Sequence, residues 1–538
     1  MKKFSEKILM VVLSIFCFYS KCYCLSNVGQ SIQLPVLEQI VRNALSHQSI
    51  GYALTENVLK DVDFKLLSKQ FSCLTSLGDI FLASTLINPI TPYDTKNILF
   101  NRQNIIKKLV KNKKFHQEIK LLVNEASSLM DQINELLTHR AYKKDDGTFQ
   151  EYKESTNYLD HGIISGFFLF AGVASISLIK ENKISANNDG SAGMITFACF
   201  GYFLYRYLLG LYERGLLYYA LRLIEIAEEI EYITDTHNLV MYYKSSDFEK
   251  SQAGKEIRQT LEHNRYAKKY GSPMTITSCV HALAAQIRSD RSCFESILLP
   301  IAEMDVYLAL AEKIMIQSNT KHQFCFVEFL DQEKPAIESL KNWNITLQAK
   351  SHKTIMPFDL IDVKNIIVTG PDKAAKRTVL STMLQNVLLA QTFGIAAALK
   401  FKYTPFHVVY SYMNYYQTES KHQSFSCIEI HKDILSSLKK IMKTSKIFFV
   451  ADDFFSNFNT QETEARVCNF FEDLRFCPNV FCMYTTHFDK LKSIGVINDS
   501  CANYKIEKSD RQLLDNSTML YPYILRKDLY EIYSTLSY

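Results

Sequence analysis

The chain has 538 residues, a formal net charge of +5 and 47% apolar residues, with only 17 Gly and 11 Pro. That length gives two or more domains with ample room for a real core. So mild a positive balance excludes a dedicated nucleic-acid stripe and argues neither for nor against DNA as a partner.

The first residues are basic and run into an apolar stretch from Ile8 to Tyr19, with Lys on both flanks. Cys22 and Cys24 stand at the minus-three and minus-one spacing of a signal-peptidase site. Residues 1–24 therefore read as a signal peptide or an uncleaved anchor. Ten cysteines follow Cys24 without CxxC pairs or zinc-ligand spacing, and they read as small core hydrophobes.

Residues 27–158 carry helical, amphipathic patterns. Residues 159–218 then hold two apolar runs. Gly162 to Ile179 has no charge over 18 residues, the length of a membrane span. Ala192 to Tyr212 is similar, with Arg206 near its end, where a long side chain can snorkel. With the polar linker between them they predict a transmembrane helical hairpin, the alternative being a hydrophobic core hairpin. The hairpin makes the membrane a partner, with the inner, cytoplasmic membrane as the expected location. Arg140, Lys143, Lys144 and Lys153 outside it put the large domains in the cytoplasm, whereas a cleaved signal would put them on the other side.

A second helical part, residues 219–320, includes LPIAEMDVYLALAEKI. From 321 to 538 short apolar strands alternate with helices. FCFVEFL, NIIVTG, KIFFVADD and NVFCMYTTH read as strands, and TVLSTMLQNVLLAQTFG reads as a helix. That alternation predicts an α/β nucleotide-binding domain with a mostly parallel sheet. The expected fold is thus an α-helical lever/core region, interrupted by an apolar hairpin, followed by an α/β P-loop ATPase domain of the ABC type.

Residues 366–378, IIVTGPDKAAKRT, carry the chemistry. A phosphate-binding loop reads G-x-x-x-x-G-K-[ST]: its glycines let backbone N–H groups close on phosphate, its Lys reaches the β/γ-phosphates, and its hydroxyl holds Mg²⁺. Gly370 and Lys376 fit this spacing, but Ala375 replaces the second glycine and Arg377 the hydroxyl, with Thr378 one place late. Nucleotide-binding candidates are Gly370, Pro371, Asp372, Lys376, Arg377 and Thr378. A second strand, Ile447 to Val450, runs into Asp452 and Asp453. The first acid of such a pair orients Mg²⁺ and the second polarises the attacking water. Thr378 and Asp452 are therefore the Mg²⁺ candidates, and Asp453 is a catalytic candidate. Asp453 is one methylene shorter than Glu, so a base there sits about 1.5 Å back, enough to slow hydrolysis sharply. His487, at the end of the third strand, is placed to sense a γ-phosphate.

In that order these motifs resemble the MutS-like mismatch-repair ATPases, members of the ABC ATPase superfamily. That family's phosphate loop reads TGPNMGGKST, against TGPDKAAKRT here, and its AQxG is similar to AQTFG at 390–394. Its STFMxEM resembles SFSCIEI at 424–430, which implies that Ser424 reaches the γ-phosphate on a partner subunit and that Glu429 closes the motif. Thr486 to Leu491 looks like THYHEL. Upstream, Thr75, Gly78, Pro89, Arg102 and Gln103 are similar to the start of the family's lever, and IAEMDVYLALA at 301–311 to the helix that returns to the ATPase domain. The resemblance implies ATP and Mg²⁺ as cofactors, a homodimer through the ATPase domains, and DNA as a partner.

The departures are a missing mismatch-reading domain, no F-x-E wedge, an apolar hairpin in place of a DNA clamp, a short carboxyl-terminal tail, and Cβ atoms at Ala374 and Ala375 where backbone approaches phosphate. A MutS-like protein, tethered to the membrane and with a degenerate ATP site, is the expectation. Its alternatives are an active DNA-binding ATPase clamp and a non-enzymatic membrane scaffold. KKLVKNKK at 107–114 and KKIMK at 439–443 are the only candidate DNA-phosphate contacts.

Overall fold

The computed structural model describes residues 36–47, 54–90, 95–137, 142–143, 149–150, 218–251, 254–259, 294–318, 320, 322–347, 357–361, 365–370, 375–413, 445–452, 465, 468–469, 472, 477–486, 501–508 and 523–527. The helices that position the site are α1 (Val36–His47), α2 (Glu56–Asp61), α3 (Phe64–Ser68), α4 (Ser76–Ile87), α5 (Thr95–Lys111), α6 (Lys113–Leu137), α7 (218–236), α8 (Glu295–Gln317) and α9 (Lys376–Phe393). The strands of the carboxyl-terminal part begin with β1 (Cys325–Phe326), β2 (Glu328–Phe329), β3 (Ile337–Asn342), β4 (Phe358–Leu360), β5 (Asn365–Thr369) and β6 (Ile395–Ala396). They continue with β7 (Lys400–Tyr403), β8 (Val408–Tyr412), β9 (Ile447–Asp452), β10 (Val480–Thr486), β11 (Cys501–Lys508) and β12 (Tyr523–Lys527).

Helix α8 is the axis of the helical part. Its side chains are buried on nearly every side, as befits a helix apolar around its circumference. Two carboxylates lie inside that apolar surface, and each has a structural partner. Asp305 accepts from the backbone N–H groups of Leu74 (2.9 Å) and Thr75 (2.8 Å), and from the Thr75 hydroxyl (2.7 Å). Thr75 in turn caps α4 by accepting from the Gly78 N–H at 2.9 Å. A Cβ on Gly78 would lie 2.3 Å from Asp305 Oδ2, so only glycine lets α4 approach α8 this closely. The Thr-x-x-Gly spacing is therefore a helix-start device that docks α4 against α8.

The carboxyl-terminal part is an α/β unit, as the alternating pattern predicts. Its main sheet has six strands in the order β8-β9-β10-β5-β11-β12, parallel except for the antiparallel β11–β12 pair. Strand β9 is an unbroken apolar run, buried along its length until Asp452. Such runs belong to parallel strands covered on both faces. A second sheet, β2-β7-β3-β4, and the short β1–β6 pair complete the unit.

Helix α9 belongs to two cores. Val379, Leu380, Met383, Leu384, Val387 and Leu388 pack into the core of the main sheet. Leu389, directly after Leu388, and Phe393, about one turn further on, pack into the helical core around α8. The helix is about 27 Å long at 1.5 Å per residue. It therefore carries one end of the α/β unit directly into the helical part.

The membrane reading is corrected. Among the described residues no helix is long and apolar enough to cross a membrane. The most continuously apolar long helix, α8, carries Glu303 and Asp305 at its centre and is covered by protein. Its apolarity serves the core. The segments 162–179 and 192–212, read as a hairpin, and residues 1–24, read as a signal or anchor, lie outside the described residues. The membrane, transmembrane and signal-peptide terms are not retained.

Candidate site at the carboxyl edge of the parallel sheet

Open α/β sheets bind ligands beyond the carboxyl ends of their parallel strands. Here the register brings four such ends level: Tyr412 beside Ala451, Asp452 beside Thr485, and Thr486 beside Thr369. The chain leaves β5 through Gly370 and re-enters as α9 at Lys376, so the amino end of α9 faces this edge. Of the sequence-derived candidates, the structure brings Gly370, Lys376, Arg377, Thr378 and Asp452 to one place. Pro371, Asp372, Ser424, Glu429, Asp453 and His487 lie outside the described residues.

Ala375 sits ahead of α9 with φ 61° and ψ 19°, in the left-handed region. Glycine adopts that conformation freely, whereas an L-residue with a Cβ is strained there by about 1–2 kcal/mol. Ala375 thus holds a turn that a glycine would adopt without strain. Lys376 is largely buried, and its Nζ donates to the Gly370 carbonyl at 2.9 Å. This bond closes the loop across its base and holds the ammonium beside the sheet edge.

Arg377 is the decisive departure. Its Nε donates to Asp452 Oδ2 at 3.2 Å, and its Nη2 donates to the Met413 carbonyl beyond the end of β8. The other Asp452 oxygen accepts from the Thr485 hydroxyl on β10. One guanidinium thus ties together the ends of β8, β9 and, through Asp452, β10. Its side chain is 42% exposed and that of Asp452 17% exposed. A pair this open to water contributes at most about 1 kcal/mol to stability, so its significance is chemical. Thr378 follows in the first turn of α9, where its backbone carbonyl accepts the Thr382 hydroxyl at 2.7 Å.

These residues fit a phosphate group better than they fit Mg²⁺. The acid expected to hold the metal already has a guanidinium as its counter-charge, and the position expected to give a hydroxyl ligand gives that guanidinium. Among the described residues, no group of three or more His, Cys, Asp or Glu side chains is placed to hold a metal ion. Of the two Mg²⁺ candidates, Asp452 is thus paired with Arg377, and Thr378 stands one position further along α9.

One site residue has no sequence signal. Asp61, at the end of the short helix α2, is buried and accepts from the Ser411 hydroxyl and from the Met413 N–H (3.0 Å). It thus holds the N–H of Met413, the residue whose carbonyl takes Arg377. Ser381 and Gln385 of α9 donate to the carbonyls of Asp61 (3.2 Å) and Val62 (3.1 Å). The amino-terminal helical region thus reaches the sheet edge directly, through an acid 350 residues away from its partner in sequence.

The far end of α9 is joined to the helical part by polar groups as well. Arg102, almost fully buried, donates from Nη1 to the Thr392 carbonyl at 2.8 Å. Gln103 Nε2 donates to the carbonyls of Val327 (2.9 Å) and Gly394 (2.8 Å). Gly394 closes α9 in the left-handed conformation, φ 70°, with the Gln103 side chain against it. Gln391 donates to the Phe406 carbonyl at 2.9 Å and accepts from the Phe406 N–H at 3.2 Å, while its own carbonyl takes the Ile90 N–H at 3.2 Å. Behind Arg102 lies Glu303, fully buried, accepting from Tyr307 Oη (2.6 Å) and the Tyr243 N–H (3.2 Å). Burial raises the Glu303 carboxyl above the usual range, against the pull of the Tyr307 hydrogen bond and the Arg102 charge. The Arg-Gln and AQTFG motifs are the two halves of this one joint.

No family model matches the chain, and no curated protein matches it.

Proposed function

We propose that the chain is a nucleotide-responsive module of MutS-like architecture, in which a degenerate phosphate site binds ATP with little or no turnover and α9 relays its occupancy to the helical part. The observation that carries this reading is α9 itself. It starts at Lys376 on the sheet edge and ends at Arg102 and Gln103 of α5, with both ends fixed by buried hydrogen bonds. A phosphate drawn toward the amino end of α9 is favoured by the helix dipole and by two adjacent cations. Any shift of that end is passed along a rigid helix to the Gln103 joint. The motif resemblance adds support, since Thr75, Gly78, Arg102, Gln103, Gln391 and Gly394 all meet at helix starts or at that joint.

Slow turnover follows from the same geometry. Phosphoryl transfer depends on positioned Mg²⁺ and on donors aimed at the transferring group. Here Asp452 is engaged by Arg377, and Ala375 puts a methyl group where a phosphate loop presents bare backbone. Release of phosphate from ATP by the full chain is expected to stay at background with Mg²⁺ present. Ordinary Mg²⁺-dependent turnover that Lys376→Ala abolishes would overturn this reading.

A further inference from the structure

We propose that this site takes a nucleotide phosphate without a divalent cation, because the Arg377 guanidinium is the cation of the site. The inference rests on the nucleotide-binding reading above and adds what the site needs, and does not need, for binding.

The argument starts from charge. A carboxylate at the end of a β-strand beside a phosphate loop is an electrostatic problem, since it faces an anionic ligand. A divalent ion solves it by binding both groups. Here the carboxylate is already answered. Arg377 Nε lies 3.2 Å from Asp452 Oδ2, its Nη2 is held by the Met413 carbonyl, and Thr485 donates to the second carboxylate oxygen. All of this fixes the guanidinium plane across the strand ends. Guanidinium has five N–H donors in a planar fork, and two of its nitrogens are engaged here. Among the described residues the third, Nη1, has no partner and leaves donors for a phosphate oxygen, a group that matches this fork in geometry and charge.

Geometry also argues against adding a metal. A Mg²⁺ ion on Asp452 would sit within a few ångströms of a fixed positive charge and would have to displace it. The Met413 anchor opposes that displacement, because the N–H of the same residue is held by the buried Asp61 at 3.0 Å. The side chain of residue 377 thus supplies the positive charge that a phosphate site needs and blocks the ion that normally brings it.

Equilibrium dialysis of labelled ATP against the full chain, with Mg²⁺ or with EDTA, tests this. The expected result is equal affinity in the two conditions. Arg377→Ser should weaken binding in EDTA by about ten- to a hundredfold, as loss of one charge-assisted contact does. Mg²⁺ should restore part of that loss, because a hydroxyl and a freed Asp452 then offer metal ligands. Arg377→Lys, which keeps the charge at a half-exposed position and loses the fork, should retain part of the EDTA-resistant binding. Wild-type binding that requires Mg²⁺, or an Arg377→Ser chain that binds in EDTA as well as the wild type, would overturn the inference and leave the nucleotide site standing. Absence of ATP binding in both conditions would overturn the nucleotide reading itself, and the inference with it.

Discussion

Replacing Gln103 by Ala probes the joint between α9 and the helical part. The side chain is almost fully buried and makes two hydrogen bonds to carbonyls, at Val327 (2.9 Å) and Gly394 (2.8 Å). Each bond is worth about 1 kcal/mol net, so their loss should lower the local opening free energy by about 2 kcal/mol. At 1.36 kcal/mol per decade, that is about a thirtyfold rise in the opening equilibrium. The rise should be local. Amides closed by the joint, such as Gly394 N–H on Ala390 (3.1 Å) and Val327 N–H on Gly394 (3.0 Å), should exchange faster. Native-state hydrogen–deuterium exchange followed by mass spectrometry reads this on peptides spanning 325–330 and 390–397, with β9 and β10 as internal controls. Unchanged exchange at the joint would refute the account of Gln103, as would an equal rise in β9 and β10.

Two further outcomes follow from the same joint and its surroundings. Gly394→Ala should lower the thermal midpoint, because an L-residue at φ 70° is strained by about 1–2 kcal/mol and its Cβ would meet Gln103 Cβ at 3.1 Å. Combined with Gln103→Ala, its effect should fall somewhat short of the sum of the singles, since Gln103 Nε2 (3.2 Å) and Cγ (3.3 Å) are then gone while Cβ remains; strict additivity would count against those two contacts. Glu303 gives a pH signature. Its carboxyl is raised above 4.5 in the folded chain, so its contribution is fully present below 4.5 and is lost as pH rises through the raised value. Stability measured by denaturant unfolding should therefore fall with rising pH above 4.5. The slope should be reduced in Glu303→Gln, and not abolished, because burial raises Asp305 in the same direction.

The α/β unit was legible because its strands are continuous apolar runs with acids or hydroxyls at their carboxyl ends, a pattern local to each strand. β5, β9, β10 and α9 fall where that pattern puts them. The joint was legible only as isolated motif letters. Thr75, Gly78, Arg102, Gln103, Gln391 and Gly394 stand far apart in the chain, and their contacts explain the letters: a cap, a close approach, two buried donors and a left-handed helix end. Other features were not legible at all. Asp61 is one acid among many in the sequence, and only the fold puts it under Met413, 352 residues away. Glu303 and Asp305 carry no sequence signal of burial, yet both are buried in α8 and each acid finds its own partners. The pairing of Arg377 with Asp452 joins positions 75 residues apart, and it turns a damaged metal ligand into a cation with its own place. The membrane term came from apolar runs that lie outside the described residues, and among the described residues no helix is long and apolar enough to cross a membrane.

Thermal unfolding of the full chain with increasing ATP tests the nucleotide reading most directly. A ligand that binds only the folded state stabilises it by about 2.7 kcal/mol at a hundredfold excess over its Kd. The midpoint of the wild-type chain should therefore climb steadily with ATP, and that of Lys376→Ala should not. A wild-type midpoint that stays flat at every ATP concentration would contradict the account, as would an equal climb in Lys376→Ala.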